Sequence, residues 1–131
     1  MTGLVSLETS FLIDLLRKDP AAVARAQILE ASGEPRCVTA PAAAEILIGA
    51  TLRGGRALER ARELLASLVL LPFDFEACEE AGRLGAQLIS HGEELASSDL
   101  FIAAITKRHG QRLLTRDRAF ARIRGLTVET Y

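Results

Sequence analysis

Four carboxylates sit where a folded chain seldom leaves a charge. Glu8 ends the apolar run Leu4-Val5-Ser6-Leu7 at the point where a helical pattern of Phe11, Leu12, Ile13, Leu15 and Leu16 begins. A charge at such a seam is costly to desolvate unless something compensates it. Glu45 shares the stretch Ala42 to Leu52 with one other strongly polar residue, Thr51, and Ile48 and Leu52 recur on its side of a helix at i+3 and i+7. Asp99 opens the segment Leu100-Phe101-Ile102-Ala103-Ala104-Ile105, apolar enough to be buried on all sides, and Asp117 closely follows the run Leu113-Leu114-Thr115. Singly, each has an ordinary role. Asp99 or Asp117 would cap a helix, worth about 0.5–2 kcal/mol, Glu8 would pair with an arginine, and Glu45 would be a satisfied polar core residue. Brought together they would raise one another's pKa and oppose folding unless a cation intervened. Carboxylates and water suit a hard divalent ion, Mg²⁺ or Mn²⁺; with no His or Cys among them, zinc is not indicated. Such an ion polarises phosphoryl oxygens and activates water.

The order of the elements is what would bring the four together. A strand ending at Leu7 leads into a helix over 10–18, and Pro20 starts a second helix that runs to about 31. A strand over 37–39 leads to a helix from Pro41 to the Gly54-Gly55 break, which its composition makes buried on most sides. A charged helix over 56–67 precedes a strand over 69–71. A helix over 74–91 follows, with Phe75, Cys78, Ala81, Gly85, Leu88 and Ile89 tracking one face. Residues 93–96 link to a helix capped by Ser97 or Ser98. A strand over 113–115, a short helix capped by Asp117, and an edge strand over 126–129 complete the chain. Short apolar strands alternating with helices imply an α/β fold with a mostly parallel sheet of about five strands, covered on both faces. Right-handed crossovers then set helix N-termini over strand C-termini. Glu8, Glu45, Asp99 and Asp117 all converge on that edge, where open α/β sheets bind ligands.

With 131 residues, 49% of them hydrophobic, one compact domain over 1–131 is expected. No apolar run approaches the ~20 residues of a membrane span, and no basic segment precedes an apolar signal core, so a cytoplasmic protein is expected. Cys37 and Cys78, without metal-type spacing, read as buried reduced thiols. His91 and His109 fall near helix ends and read as partners of the helix dipole. A formal net charge of −1 excludes a uniformly basic nucleic-acid binder but not local segregation of charge. Lys107, Arg108, Arg112, Arg116, Arg118, Arg122 and Arg124 bracket Asp117. Of these Arg112, Arg116 and Arg118 are candidates to hold the backbone of an anionic polymer; a solvated charged face is the alternative. Thr9, Ser10 and Thr115 flank the acids with hydroxyls that would orient carboxylates or metal-bound water, or, for Ser10, simply cap a helix.

The segments Leu7-Glu8-Thr9-Ser10-Phe11-Leu12-Ile13-Asp14, Ala44-Glu45-Ile46-Leu47-Ile48-Gly49-Ala50, Ser98-Asp99-Leu100-Phe101-Ile102-Ala103-Ala104 and Leu114-Thr115-Arg116-Asp117-Arg118-Ala119-Phe120 resemble, in order, the motifs of PIN-domain ribonucleases, VapC-type toxins above all. The resemblance implies a three-layer α/β/α domain and Mg²⁺- or Mn²⁺-dependent cleavage of RNA. It also implies homodimerisation and inhibition by a cognate antitoxin seated in the cleft. Glu45, Asp99 and Asp117 match the family's acids in type and place, and Thr9 and Thr115 agree with its pattern. Glu8 departs from it, since the first motif normally carries aspartate. The extra methylene displaces the carboxylate by roughly 1 Å in a site where that can cost 10²-fold. A catalytically weakened PIN domain acting as an RNA- or antitoxin-binding module is therefore the alternative. A phosphoacceptor receiver lacks its lysine here, and a dinucleotide binder lacks its glycine-rich turn.

Overall fold

Val5, Ser6 and Leu7 are buried in succession, as a central parallel strand covered on both faces requires. They form β1 (Val5–Leu7) of a parallel sheet with β2 (Arg36–Thr39), β3 (Val69–Leu71), β4 (Arg112–Leu114) and β5 (Thr127–Glu129). The strand order is β3-β2-β1-β4-β5, and all pairings are parallel. The structure, a computed structural model, describes residues 4–131. Residues 1–3, which the one-domain expectation includes, lie outside the described residues.

The strands alternate with α1 (Thr9–Leu16), α2 (Pro20–Ser32), α3 (Ala40–Arg53), α4 (Arg56–Ala66), α5 (Phe75–Ser90), α6 (Ser97–Arg108) and a 3-10 helix (Arg118–Arg122). Their starts are encoded locally. Asp19 accepts from Ala22 N at 3.1 Å with Pro20 in the first helical position, and Thr39 accepts from Ala42 N at 3.3 Å ahead of Pro41. Gly33 closes α2 in the left-handed conformation, at φ 72°. His91 and His109 are the C-caps of α5 and α6, as their positions predict.

Successive residues of β2 face opposite layers. Val38 lines a hollow shared with Ala43, Leu47 and Leu58 of α3 and α4, whereas Cys37 clusters with Leu71, Ala77 and Ile105, reaching α5 and α6. The result is the three-layer α/β/α architecture expected from the sequence. Leu7 stands opposite Leu114, and Leu114 opposite Glu129, so the C-terminal ends of β1, β4 and β5 are level.

Three expectations are corrected. The α3 helix is not buried on most sides: Ile48 and Leu52 are 62% and 83% exposed. Glu45 accordingly sits in its second turn, on a half-buried flank. In α5 the buried face is Ala77, Glu80, Ala81 and Leu84, while Phe75, Cys78 and Ile89 are exposed. The misreading has a physical cause. Glu80 is buried because Lys107 Nζ reaches its Oε2 at 2.9 Å and Arg83 pairs with its Oε1, so a charge occupies the inward face. Burial raises the Glu80 pKa, but the hydrogen bonds from Lys107 and Arg83 outweigh it and hold the carboxyl below its usual range. Of the two thiols, only Cys37 is buried. Burial pushes its pKa up, against a hydrogen bond donated by Gln111 Nε2 at 3.3 Å.

Candidate active site

Glu8 is both the end of β1 and the N-cap of α1, with extended backbone (φ −80°, ψ 160°). Its amide donates to Leu114 O at 3.0 Å, extending the ladder to β4, and the residue is only 4% exposed. Its carboxylate is compensated by neutral donors, all on Oε1: Ser10 N at 3.0 Å, Ser10 Oγ at 2.5 Å and Thr115 Oγ1 at 2.5 Å. Hydrogen bonds of this kind to a charged acceptor contribute about 1.5–3 kcal/mol each.

Glu45 is held from both sides. Thr9 Oγ1 donates to its Oε1 at 2.6 Å and Ser98 Oγ to its Oε2 at 2.7 Å, tying α3 to the starts of α1 and α6. Ser98 is therefore a site residue that sequence reasoning took for a cap. The N-cap position is Ala96, and no side chain caps α6. The Ser98-Asp99 adjacency was the available signal.

Asp117 caps the 3-10 helix, accepting from Ala119 N at 2.9 Å, while its own amide donates to Thr115 Oγ1 at 2.9 Å. Thr115 thus serves Glu8 and Asp117 at once. Asp99 lies in the first turn of α6. Burial, then the charges of Glu8, Asp117 and Glu45, push its carboxyl from 3.8 up to about 6. That the other three acids all act on Asp99 is the electrostatic mark of their convergence on the strand C-terminal edge.

Convergence stops short of a preformed ligand cage. As the side chains stand, no three His, Cys, Asp or Glu groups among the described residues gather closely enough to hold a metal ion. Hydroxyl donors instead engage two of the acids, Glu8 through Ser10 and Thr115 and Glu45 through Thr9 and Ser98. In kind, the donor set fits a hard cation: it is all oxygen, it carries excess negative charge, and the raised Asp99 carboxyl marks a repulsion that a bound cation would relieve.

The arginines divide. Arg112 begins β4 and so lies at the opposite edge of the sheet from the acids, bound to Glu129 at 3.0 Å and Glu34 at 3.5 Å. Arg116 forms a two-pronged pair with Asp14, Nε to Oδ2 at 2.7 Å and Nη2 to Oδ1 at 3.0 Å. Both are thus engaged by carboxylates of the chain itself. Arg118 is exposed beside Asp117. On the other flank, Glu45 borders a groove of about 290 Å³ with Ile13, Leu16, Ile46 and Ala50 on its walls and Arg17, Arg53 and Arg60 among its lining residues.

The fold recurs in solved structures. The chain has a TM-score of 0.84 and 21% identity to a chain of VapBC2 from Rickettsia felis bound to a promoter DNA fragment, over 98% of each chain. Against FitAB bound to the IR36 DNA fragment the TM-score is 0.84 at 26% identity, over 96% of this chain and 94% of that one. Against VapC20 of Mycobacterium tuberculosis, described as a sarcin–ricin loop cleaving toxin, it is 0.69 at 21% identity, over 90% and 93%. No curated protein matches the chain in sequence. Residues 5–126 match the family described as PIN domain, and with the fold and its acidic edge in place, the chain belongs to the PIN domain family.

Proposed function

We propose that this PIN domain is the toxin of a toxin–antitoxin pair and cuts RNA with the help of Mg²⁺ or Mn²⁺. The observation that carries the reading is Asp99, whose carboxyl is raised by burial and then by the charges of Glu8, Asp117 and Glu45 at the sheet edge. The structural neighbours support it, being VapBC and FitAB complexes and a toxin described as cleaving the sarcin–ricin loop. Asp99 and Asp117, with Glu8 and Glu45, would hold the ion. When bound, it would lend its charge to phosphoryl oxygens and lower the pKa of a water.

The chain's own residues supply the rest. Thr9 and Ser98 fix Glu45 by both oxygens, and Thr115 relates Glu8 to Asp117. Arg118, exposed beside Asp117, is the arginine among Arg112, Arg116 and Arg118 best situated to meet an RNA phosphate. An antitoxin segment with apolar anchors and acidic flanks suits the groove lined by Ile13, Ile46, Arg17 and Arg53. A second copy of the chain would cover some of the exposed Ile48, Leu52, Val69, Leu70 and Phe75. No helix among the described residues is long and apolar enough to cross a membrane; it is the proposed RNA-directed activity that would place the protein in the cytoplasm.

A second reading has its own observation. Glu8 spends Oε1 on three donors, and a glutamate so held would weaken ion binding and leave a module that binds antitoxin or RNA without cutting. The deciding experiment incubates the protein with single-stranded RNA and Mg²⁺ or Mn²⁺, with and without excess EDTA, beside Asp99→Asn. Ion-dependent cleavage lost in the variant supports the nuclease. Cleavage persisting in EDTA would overturn the metal mechanism, and absence of cleavage with RNA binding intact would favour the second reading.

A further inference from the structure

Beside the acidic edge, a cluster of titratable groups is built as a unit that neither holds the proposed ion nor touches its carboxylates. Asp14 accepts both prongs of Arg116 and, on Oδ2, the Tyr131 hydroxyl at 2.6 Å. The Tyr131 ring stands edge-on to buried Phe11, centroids 4.8 Å apart. Hydrogen bonds from Arg116, opposed by burial, hold the Asp14 carboxyl below its usual range, and burial together with Asp14 pushes the Tyr131 hydroxyl up. Asp14 is thus charged, and Tyr131 is a donor, across ordinary pH.

The cluster connects to the site through the backbone. Arg116 stands between Thr115 and Asp117, and its amide donates to Ser10 Oγ at 3.1 Å. That hydroxyl in turn donates to Glu8 Oε1 and lies 3.2 Å from Thr115 Oγ1. Ser10 and Asp14 are one turn apart on α1. The turn carrying Thr115 and Asp117 is therefore pinned to α1 twice, by the Arg116 main chain at Ser10 and by its side chain at Asp14.

We propose that Asp14, Arg116 and Tyr131 form a clasp of positioning residues that sets the Thr115–Asp117 turn against Glu8, and that Arg116 acts by holding this turn and not by contacting RNA phosphate. An exposed ion pair alone would contribute little. Here the two-pronged geometry, a third donor and an aromatic anchor make the pair a fixed strut.

The test follows amide hydrogen exchange by NMR, together with RNA cleavage, in wild type, Asp14→Asn, Arg116→Lys and Tyr131→Phe. The clasp predicts exchange at the Arg116 and Asp117 amides faster by about tenfold or more in Asp14→Asn and Arg116→Lys, with Leu113 and Leu114 in β4 unchanged. Tyr131→Phe, which keeps the ring on Phe11, should show the same pattern more weakly. The cleavage arm rests on the proposed nuclease function: kcat should fall by about 10–100-fold with KM and the salt dependence of RNA binding unchanged. Unaltered exchange at Arg116 and Asp117 would overturn the clasp. So would a raised KM in Arg116→Lys with a shallower salt slope, which marks a phosphate contact, or tighter RNA binding in Asp14→Asn, as expected of a released phosphate-binding arginine. If the wild type cuts no RNA, the nuclease reading fails while the exchange measurement still decides the clasp.

Discussion

The Thr115 hydroxyl donates to Oε1 of Glu8 at 2.5 Å, joining residues 107 positions apart at the ends of adjacent strands. This contact shows how a glutamate is accommodated where PIN domains were expected to carry aspartate. The extra methylene lets one oxygen reach across to β4, and the carboxylate is satisfied there without an arginine.

Shortening that side chain tests the accommodation. Glu8→Asp keeps a good helix cap and gives up the reach to Thr115, and it should retain or raise ion-dependent cleavage. A fall in kcat beyond about 10²-fold would show that the local backbone has adapted to glutamate.

Asp99 makes a pH prediction. Its folded-state pKa, about 6, lies above the ordinary 3.8, so its contribution to metal-free stability is fully present below 3.8 and lost as pH rises through 6. Asp99→Asn removes the penalty on the charged form. In EDTA the variant should therefore gain stability relative to wild type between pH 4 and pH 7, by on the order of a few degrees in Tm at the upper end. An advantage that shrinks as pH rises would contradict the assignment.

Adding Mn²⁺ should raise the Tm of the wild type at pH 7.5 by mass action. It should do so far less at pH 5, where Asp99 is protonated and proton and ion compete, and not at all in Asp99→Asn. Thermal shift with and without EDTA measures this directly.

The Glu45 clamp predicts a paired result. Thr9→Val and Ser98→Ala each remove one donor from a half-buried carboxylate, which should cost about 1–3 kcal/mol in urea unfolding and lower kcat. Effects that add strictly in the double variant would argue that the two hydroxyls do not act on one group.

Gly49 lines the groove beside Glu45, and a Cβ there would meet nothing within 4 Å. Gly49→Phe should therefore fold normally, obstruct the groove and weaken inhibition by an antitoxin by about tenfold or more with RNA cleavage retained. Unimpaired inhibition would place the antitoxin elsewhere.

Much of this molecule was legible in its sequence because its signals are local. Asp19-Pro20, Thr39 before Pro41, and Gly33 mark helix ends by backbone chemistry alone, and runs such as Val69-Leu70-Leu71 have the length and bounds of parallel strands. Glu8 and Glu45 were legible as charges in apolar stretches, and Asp99 and Asp117 as acids at helix starts close to apolar runs. What was not legible depends on partners distant in the chain. Glu80 turns inward only because Lys107 is there to meet it, and Arg116 reads as an RNA contact until Asp14 and Tyr131 are seen beside it. Ser98 looks like a cap until Glu45 arrives from another helix. Ile48 and Leu52 satisfy a buried-helix pattern, yet no element among the described residues covers them, and composition cannot supply that fact.

The position of β1 between β2 and β4 has a consequence for how the protein is made. Glu8 and Glu45 emerge from the ribosome early, whereas Asp99, the Thr115 hydroxyl and Asp117 come from the last third of the described chain, and β1 stays unpaired on one side until β4 arrives. A nascent chain that ends before residue 112 has neither the complete acidic edge nor the strand that pairs with β1 on that side. Under the proposed RNA cleavage, the acidic edge would stay incomplete, and the domain inactive, until β4 and the Thr115–Asp117 turn are in place beside β1.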